Sequence, residues 1–141
     1  MYDGGMPETL EQEHAAREGR TFPWHEVYAP DAKAAIDFYT KALDFGTEEM
    51  DMGPAGKYTM LTKEGKGVCG VLSTTEMDMK DVPPHWAVYL TVDDVDARVS
   101  KVTSMGGTVV VPAMDIPTVG RMALIHDPQG AHIWLFKPAP M

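Results

Sequence analysis

The fold of this chain is decided by one stretch of sequence, Asp31-Ala-Lys-Ala-Ala-Ile-Asp-Phe-Tyr-Thr-Lys-Ala-Leu-Asp-Phe-Gly46. Its main apolar positions recur at the spacing of one helical face and are Ala35, Phe38, Tyr39, Ala42 and Leu43. Asp31 is suited to cap the helix N-terminus, and Gly46 to supply the left-handed residue that ends it. The stretch therefore predicts an amphipathic helix that lies on a sheet.

A weaker copy of this helix begins at Asp93, roughly sixty residues later along the chain. Two further segments repeat with a similar offset. Residues 56–61 match residues 120–125, and residues 67–72 match residues 130–135. Matched segments in the same order indicate a duplicated unit, and each copy reads as strand, helix, strand, strand, strand.

These motifs resemble a known family. The helix pattern Asp31-x-x-x-Ala-x-x-Phe-Tyr-x-x-x-Leu-x-Phe45, followed by a second copy that ends in Asp127-Pro-Gln-Gly130 and a final strand, is similar to the glyoxalase/bleomycin-resistance/extradiol-dioxygenase superfamily, also called vicinal oxygen chelate. The resemblance covers about residues 22–138. It implies an α+β fold in which two repeated βαβββ modules form curled mixed sheets, a cup, with the helices on the outer face.

The resemblance also implies a domain organisation. An N-terminal extension occupies residues 1–21, module 1 residues 22–80 and module 2 residues 81–141, and the two modules together make one domain. Because such a cup commonly surrounds a small molecule at a dimer interface, we expect a homodimer that binds a small organic molecule.

Alternation along the first strand (Phe22–Ala29), the fifth (His85–Val92) and the last (Ala131–Phe136) places aromatic and polar side chains together on one face. The aromatic members are Trp24, Tyr28, Tyr89 and Trp134, and the polar ones are Glu26 and His132. A largely apolar face with a few placed polar groups is typical of ligand sites. We expect the aromatic side chains to form the walls of that site, and Glu26 and His132 to act as its polar or catalytic groups.

Proline residues predict where one strand ends. Thr108 to Val111 is a β-branched stretch that predicts a strand, and Pro112 follows it directly. Since proline cannot donate a backbone hydrogen bond to a sheet, we expect the strand to end there and residues 113–120 to form a loop.

Enzymes of the superfamily usually hold a divalent metal with His and Glu side chains from the first and last strands of each repeat. The corresponding positions in this chain are Trp24, Val71, Ala87 and Trp134. None of these side chains binds such a cation, so the resemblance predicts no metal cofactor here. A register slip of one residue leaves a divalent-metal site from Glu26, His85 and His132 as the alternative.

Glu26 has two interpretations. Flanked by aromatic residues on its strand face, it is expected to be partly desolvated, with a raised pKa, and to act as a base. The alternative is a salt bridge with Arg121 or Lys57. Cys69 aligns with His132 in the repeat, so it either lines the cup or packs as an inert small hydrophobic residue.

Composition restricts the partners. The formal net charge of −9 argues against nucleic acid and anionic membrane surfaces, because both attract basic patches. No apolar run approaches the roughly 20 residues of a membrane-spanning helix. A single cysteine excludes an intrachain disulfide and favours a reducing, cytoplasmic location.

Three functional hypotheses remain open. The first is a metal-free protein that binds a small, partly aromatic molecule for sequestration or resistance. The second is an enzyme, either a metal-dependent lyase, isomerase or dioxygenase, or a metal-free acid–base enzyme that uses Glu26. The third is an interaction module whose cup is filled by its own side chains.

Overall fold

The computed structural model describes residues 2–3, 6–7, 18–77 and 81–140. The chain divides into two compact units. The central unit is His25–Ala87, and the flanking unit combines Met1–Trp24 with Val88–Met141. Near the N-terminus, strand β1 (Tyr2–Asp3) pairs antiparallel with β2 (Met6–Pro7).

The central unit is one βαβββ module. Its elements are β3 (Trp24–Ala29, whose first residue belongs to the flanking unit), α1 (Ala32–Leu43), β4 (Gly46–Asp51), β5 (Lys57–Lys63) and β6 (Lys66–Ser73). The strand order is β4-β5-β6-β3. Strand β3 runs parallel to β6, whereas β4–β5 and β5–β6 are antiparallel, which makes the sheet mixed.

The flanking unit repeats this arrangement. Its elements are β7 (His85–Thr91, whose first three residues belong to the central unit), α2 (Val95–Ser104), β8 (Thr108–Ile116), β9 (Gly120–His126) and β10 (His132–Pro138). The strand order is β7-β10-β9-β8, with β10 parallel to β7 and antiparallel to β9. The predicted α+β class and the duplicated βαβββ order are therefore confirmed.

Helix α1 begins as predicted but differs at its end and on its buried face. The Asp31 carboxylate accepts the N–H of Ala34 at 3.0 Å, which satisfies a backbone donor of the first turn. The left-handed residue at the end is Asp44, with φ 61°, and not Gly46. An aspartate tolerates this conformation because its short polar side chain bonds locally.

The face that α1 presents to the sheet is rotated from the prediction. Phe38 and Leu43 are 60% and 57% exposed, so their assignment to the buried stripe was wrong. The residues of α1 that pack on the sheet are Ala32, Ala35, Ile36 and Tyr39. This set has the same helical spacing as the predicted one, and periodicity alone did not distinguish the two.

Helix α2 covers the sheet of the flanking unit. Asp94 caps it by accepting the N–H of Ala97 at 3.0 Å. Val95 lies in a buried cluster with sheet residues, whose other members are Val92, Ala123, Ile125 and Leu135. None of the helices in the described part of the chain is long and apolar enough to cross a membrane.

Strand β8 continues through Pro112, so the predicted strand end at Val111 was wrong, and the loop predicted at 113–120 is limited to a turn at residues 117–119. The strand runs to Ile116, and its register with β9 shifts on either side of Val111. Strand β8 is also the terminal strand of its sheet. Irregular pairing on an edge strand accommodates a residue without a backbone donor, which explains why Pro112 does not end the strand.

Candidate functional site

Glu26 is a buried carboxylate of the central unit. It lies in β3 on the face opposite α1 and is only 6% exposed. The Tyr28 hydroxyl donates to its Oε1 at 3.3 Å, and the Tyr58 hydroxyl donates a short hydrogen bond to its Oε2. Because a buried carboxylate is costly without donors, these two phenols account for its tolerance in the interior.

The contact between Tyr58 and Glu26 depends on a glycine. Gly70 in β6 is the cross-strand partner of Glu26. A β-carbon at residue 70 would lie 1.6 Å from the Tyr58 hydroxyl oxygen and 2.3 Å from its Cζ atom. The absent side chain at Gly70 therefore leaves the space through which the phenol reaches the carboxylate.

His85 extends this cluster toward solvent. Its ring stacks on that of Tyr28, with centroids 4.9 Å apart and planes 1° from parallel. His85 Nδ1 lies 2.8 Å from the carbonyl oxygen of Pro83. A carbonyl only accepts hydrogen bonds, so Nδ1 carries a proton, and in the neutral ring Nε2 is the acceptor. Tyr28 is thus held between an exposed imidazole and a buried carboxylate.

The flanking unit carries an aromatic cluster on the face opposite α2. Tyr89 and Trp134 are cross-strand partners whose rings stack at 5.6 Å with an interplanar angle of 11°. Phe136 meets Tyr89 edge-on at 6.2 Å. All three side chains are buried, and their rings contact one another.

The structure groups the predicted site residues in two sets. Glu26 and Tyr28 meet within the central unit, and Tyr89 and Trp134 meet within the flanking unit. His132 belongs to the flanking unit, where its ring lies 5.2 Å from that of His126. Their roles in ligand binding or catalysis remain predictions.

Tyr58 was missed by the sequence reasoning, although two signals were available. It alternates with the buried Met60 along β5, and this alternation places both on one face. Gly70 interrupts the apolar run from Val68 to Leu72, and a glycine inside a strand often marks the close approach of another group. Neither signal identified Glu26 as the group that Tyr58 approaches.

Arg121 does not serve as the predicted salt-bridge partner of Glu26. Its guanidinium pairs with Asp96 at 2.9 Å and with Asp115 at 3.2 Å, both within the flanking unit. These ion pairs hold the arginine across the exposed edge between α2, β8 and β9.

Comparison with known proteins agrees with the fold. Residues 20–135 match the Glyoxalase/Bleomycin resistance protein/Dioxygenase superfamily. The chain belongs to this superfamily. A solved structure with the same fold is methylmalonyl-CoA epimerase of Mycobacterium tuberculosis, with a TM-score of 0.55, 22% identity, and coverage of 84% of this chain and 88% of that chain. At that identity the likeness concerns the fold alone.

Two relatives in sequence are longer than this chain. CFP32 of Mycobacterium tuberculosis, named as a candidate glyoxylase, is 37% identical over 123 residues, which cover 87% of this chain and 46% of CFP32. DnrV of Streptomyces peucetius, named as an anthracycline biosynthesis protein, is 32% identical over 129 residues, which cover 84% of this chain and 47% of DnrV. The chain thus spans about half the length of these relatives.

The metal positions of the superfamily do not fit a metal in this chain. Trp24, Ala87 and Trp134 present indole and methyl groups, which do not ligate divalent cations. Val71 does not occupy the fourth of these metal-ligand positions. Val71 lies in the core beneath α1, and its neighbour Gly70 is the residue that shares a face with Glu26. Gly70 has no side chain to offer a ligand either, so none of the four positions carries a metal-binding group.

Cys69 lies in the same buried cluster as Val71. It packs with Val27 and Leu61 beneath α1, which excludes the first alternative, a place on the ligand face, and confirms the second, an inert small hydrophobic residue. Burial raises the pKa of the Cys69 thiol to about 11, and the Glu26 carboxylate adds to the shift. Cys69 therefore packs as a small apolar residue and is protonated at neutral pH.

Proposed function

We propose that this protein binds a small, partly aromatic organic molecule without a metal ion, and that Glu26 is the polar anchor of the site. The observation that carries the proposal is the buried Glu26 carboxylate, whose two oxygens each accept a hydrogen bond from a tyrosine. A ligand with a hydroxyl or amine group is the complement of such a group.

The donor chemistry favours a metal-independent mode of binding. The positions that hold the metal in enzymes of the superfamily are occupied by side chains without ligating atoms. No three His, Cys, Asp or Glu side chains converge in the described ranges in an arrangement that could hold a metal ion. Orientation of the ligand would then come from hydrogen bonds and aromatic contacts.

Aromatic rings that are predicted to contact the ligand are buried in each of the two units. Tyr28, Tyr89 and Trp134 are 2%, 6% and 7% exposed, respectively. In either unit, a molecule can contact such a ring only after neighbouring groups move aside, so we propose that binding is accompanied by a conformational change. The name of DnrV refers to anthracyclines, which is compatible with an aromatic ligand for this chain.

We also propose that the protein functions as a homodimer. Two relatives match this chain along only about half of their length, so each has room for a second domain of similar size. In a homodimer, a second copy of this chain would correspond to the part of each relative that this chain does not cover. Light scattering coupled to size-exclusion chromatography tests this point, and a monomer at micromolar concentration would contradict it.

A ligand screen tests the main proposal. Small aromatic amines and phenols are tested by thermal shift on protein treated with EDTA, and hits are measured by calorimetry. We expect Glu26→Gln to weaken binding at least tenfold, because the carboxylate loses its charge while its shape is kept. Glu48→Gln is the matched control, since Glu48 is an exposed carboxylate on β4 of the same sheet. Affinity that appears only after a divalent metal is added would contradict the proposal.

The alternative function is a metal-free acid–base enzyme. The hydrogen bonds from Tyr28 and Tyr58 favour it, because they hold the Glu26 carboxylate in one orientation, in which it could itself take a proton from a bound substrate. For any ligand found in the screen, chemical turnover lost in Glu26→Gln would establish this alternative. Binding without turnover would favour sequestration.

A further inference from the structure

Two histidines face each other across neighbouring strands of the flanking unit. His126 ends β9 and His132 begins β10, and they are direct cross-strand partners. Their ring centroids lie 5.2 Å apart with an interplanar angle of 48°. His126 is half-buried and His132 is exposed, so an ion in solution can reach the pair.

The geometry around His126 leaves its Nε2 atom suited to bind a metal. Its Nδ1 lies 3.3 Å from the carbonyl oxygen of Asp127. Because a carbonyl oxygen can only accept a hydrogen bond, the neutral ring carries its proton on Nδ1 and its free lone pair on Nε2. Metal-binding histidines commonly have their other ring nitrogen fixed in this way.

The adjoining turn adds negative charge. The Asp127 carboxylate accepts the backbone N–H groups of Gln129 and Ala131 at 2.8 and 3.1 Å. The negative charge of this carboxylate favours a cation near the His126 ring. The same hydrogen bonds fix the turn that joins β9 to β10.

We propose that His126 and His132 form a two-histidine site for a divalent late first-row transition-metal ion. Imidazole nitrogen suits Zn²⁺, Ni²⁺ and Cu²⁺, and the last of these binds most tightly in the usual order of stability. Two protein ligands leave the remaining coordination positions to water or to another molecule. The site is distinct from the superfamily's ligand positions and does not depend on Glu26.

The two strands preorganise the pair. Seven consecutive residue pairs connect β9 and β10, from His132 with His126 to Pro138 with Gly120. The backbone positions of both histidines are therefore fixed before an ion binds. With the His126 ring held by its Nδ1 contact, the exposed His132 ring is the one that would turn toward a shared ion.

Calorimetric titration with Zn²⁺ and then with Cu²⁺ tests the proposal. The protein is the whole chain described above, prepared without an affinity tag and treated with EDTA before the titration. We expect one ion per chain at this site and tighter binding of Cu²⁺ than of Zn²⁺. His126→Gln and His132→Gln should each weaken binding at least tenfold. His25→Gln is the control, because His25 is an exposed histidine on β3 of the other unit, and this variant should bind as the parent does.

A measurement on the parent protein needs no variant. In NMR spectra, Zn²⁺ should shift the ring signals of His126 and His132 together and leave those of His25 in place. The proposal is overturned if binding survives both substitutions, if no saturable binding occurs below millimolar metal, or if the two ring signals respond at different metal concentrations. Since Glu26→Gln leaves this site intact, failure of the proposed ligand-binding function would not alter these results.

Discussion

The hydroxyl oxygen of Tyr58 lies 1.6 Å from the place that a β-carbon on residue 70 would occupy. The same hydroxyl donates to Glu26, the cross-strand partner of Gly70. One glycine therefore determines whether a buried carboxylate keeps one of its two tyrosine donors.

Gly70→Ala should destabilise the protein and separate Tyr58 from Glu26. The added methyl group overlaps the phenol, and overpacking of this kind costs about 1–3 kcal/mol of unfolding free energy. Denaturant unfolding measures the loss. In a Tyr58→Ala background the space is vacant, so the same change at residue 70 should cost much less. Equal costs in the two backgrounds would mean that the phenol does not occupy this space.

Tyr58→Phe should remove one donor from Glu26 and leave the packing of the ring unchanged. Loss of a hydrogen bond to a buried carboxylate lowers the free energy of unfolding by about 1–3 kcal/mol. Tyr39→Phe is the matched control. The Tyr39 hydroxyl accepts a hydrogen bond from Trp86 Nε1 at 3.2 Å near the surface, where water can replace it. A larger loss in the control than in Tyr58→Phe would contradict the buried role of the Tyr58 hydroxyl.

The stability contributed by Cys69 should fall at high pH. Its thiol has a pKa of about 11 in the folded protein, against an ordinary value of 9.0. As the pH rises above 9 the unfolded chain ionises first, so this contribution is complete below pH 9 and is lost as the pH approaches 11. The difference in unfolding free energy between the parent and Cys69→Ala should therefore shrink between pH 8.5 and roughly pH 11. A difference that stays constant over this range would contradict the raised pKa.

Trp134→Ala should destabilise the flanking unit by about 3–5 kcal/mol, the usual cost of removing a buried aromatic side chain. Trp134→Phe keeps an aromatic ring beside Tyr89 and should recover part of that loss. Both variants are compared by thermal unfolding. For a ligand identified in the screen, unchanged affinity in Trp134→Phe and in a folded Trp134→Ala protein would exclude Trp134 from the binding wall.

Sequence reasoning was most accurate where the information is local. Asp31 caps its helix as expected, and the duplicated strand order follows from alternation and turn residues. The cap of the second helix is Asp94, one residue after the aligned Asp93. Sequence reasoning was less accurate where one local sequence pattern is compatible with two different structures. The face of α1 that packs on the sheet and the end of β8 beyond Pro112 both depend on neighbours that are distant in sequence.

The fold class, the repeat and the face of each sheet that carries aromatic side chains follow from the amino-acid sequence alone, because these depend on periodicities of two and 3.6 residues within short segments. Three relationships are visible only in the folded chain: the hydrogen bond from Tyr58 to Glu26, 32 residues away, the space that Gly70 leaves for it, and the pairing of His126 with His132. These relationships depend on strand register, and a change of one residue in register moves a side chain to the opposite face.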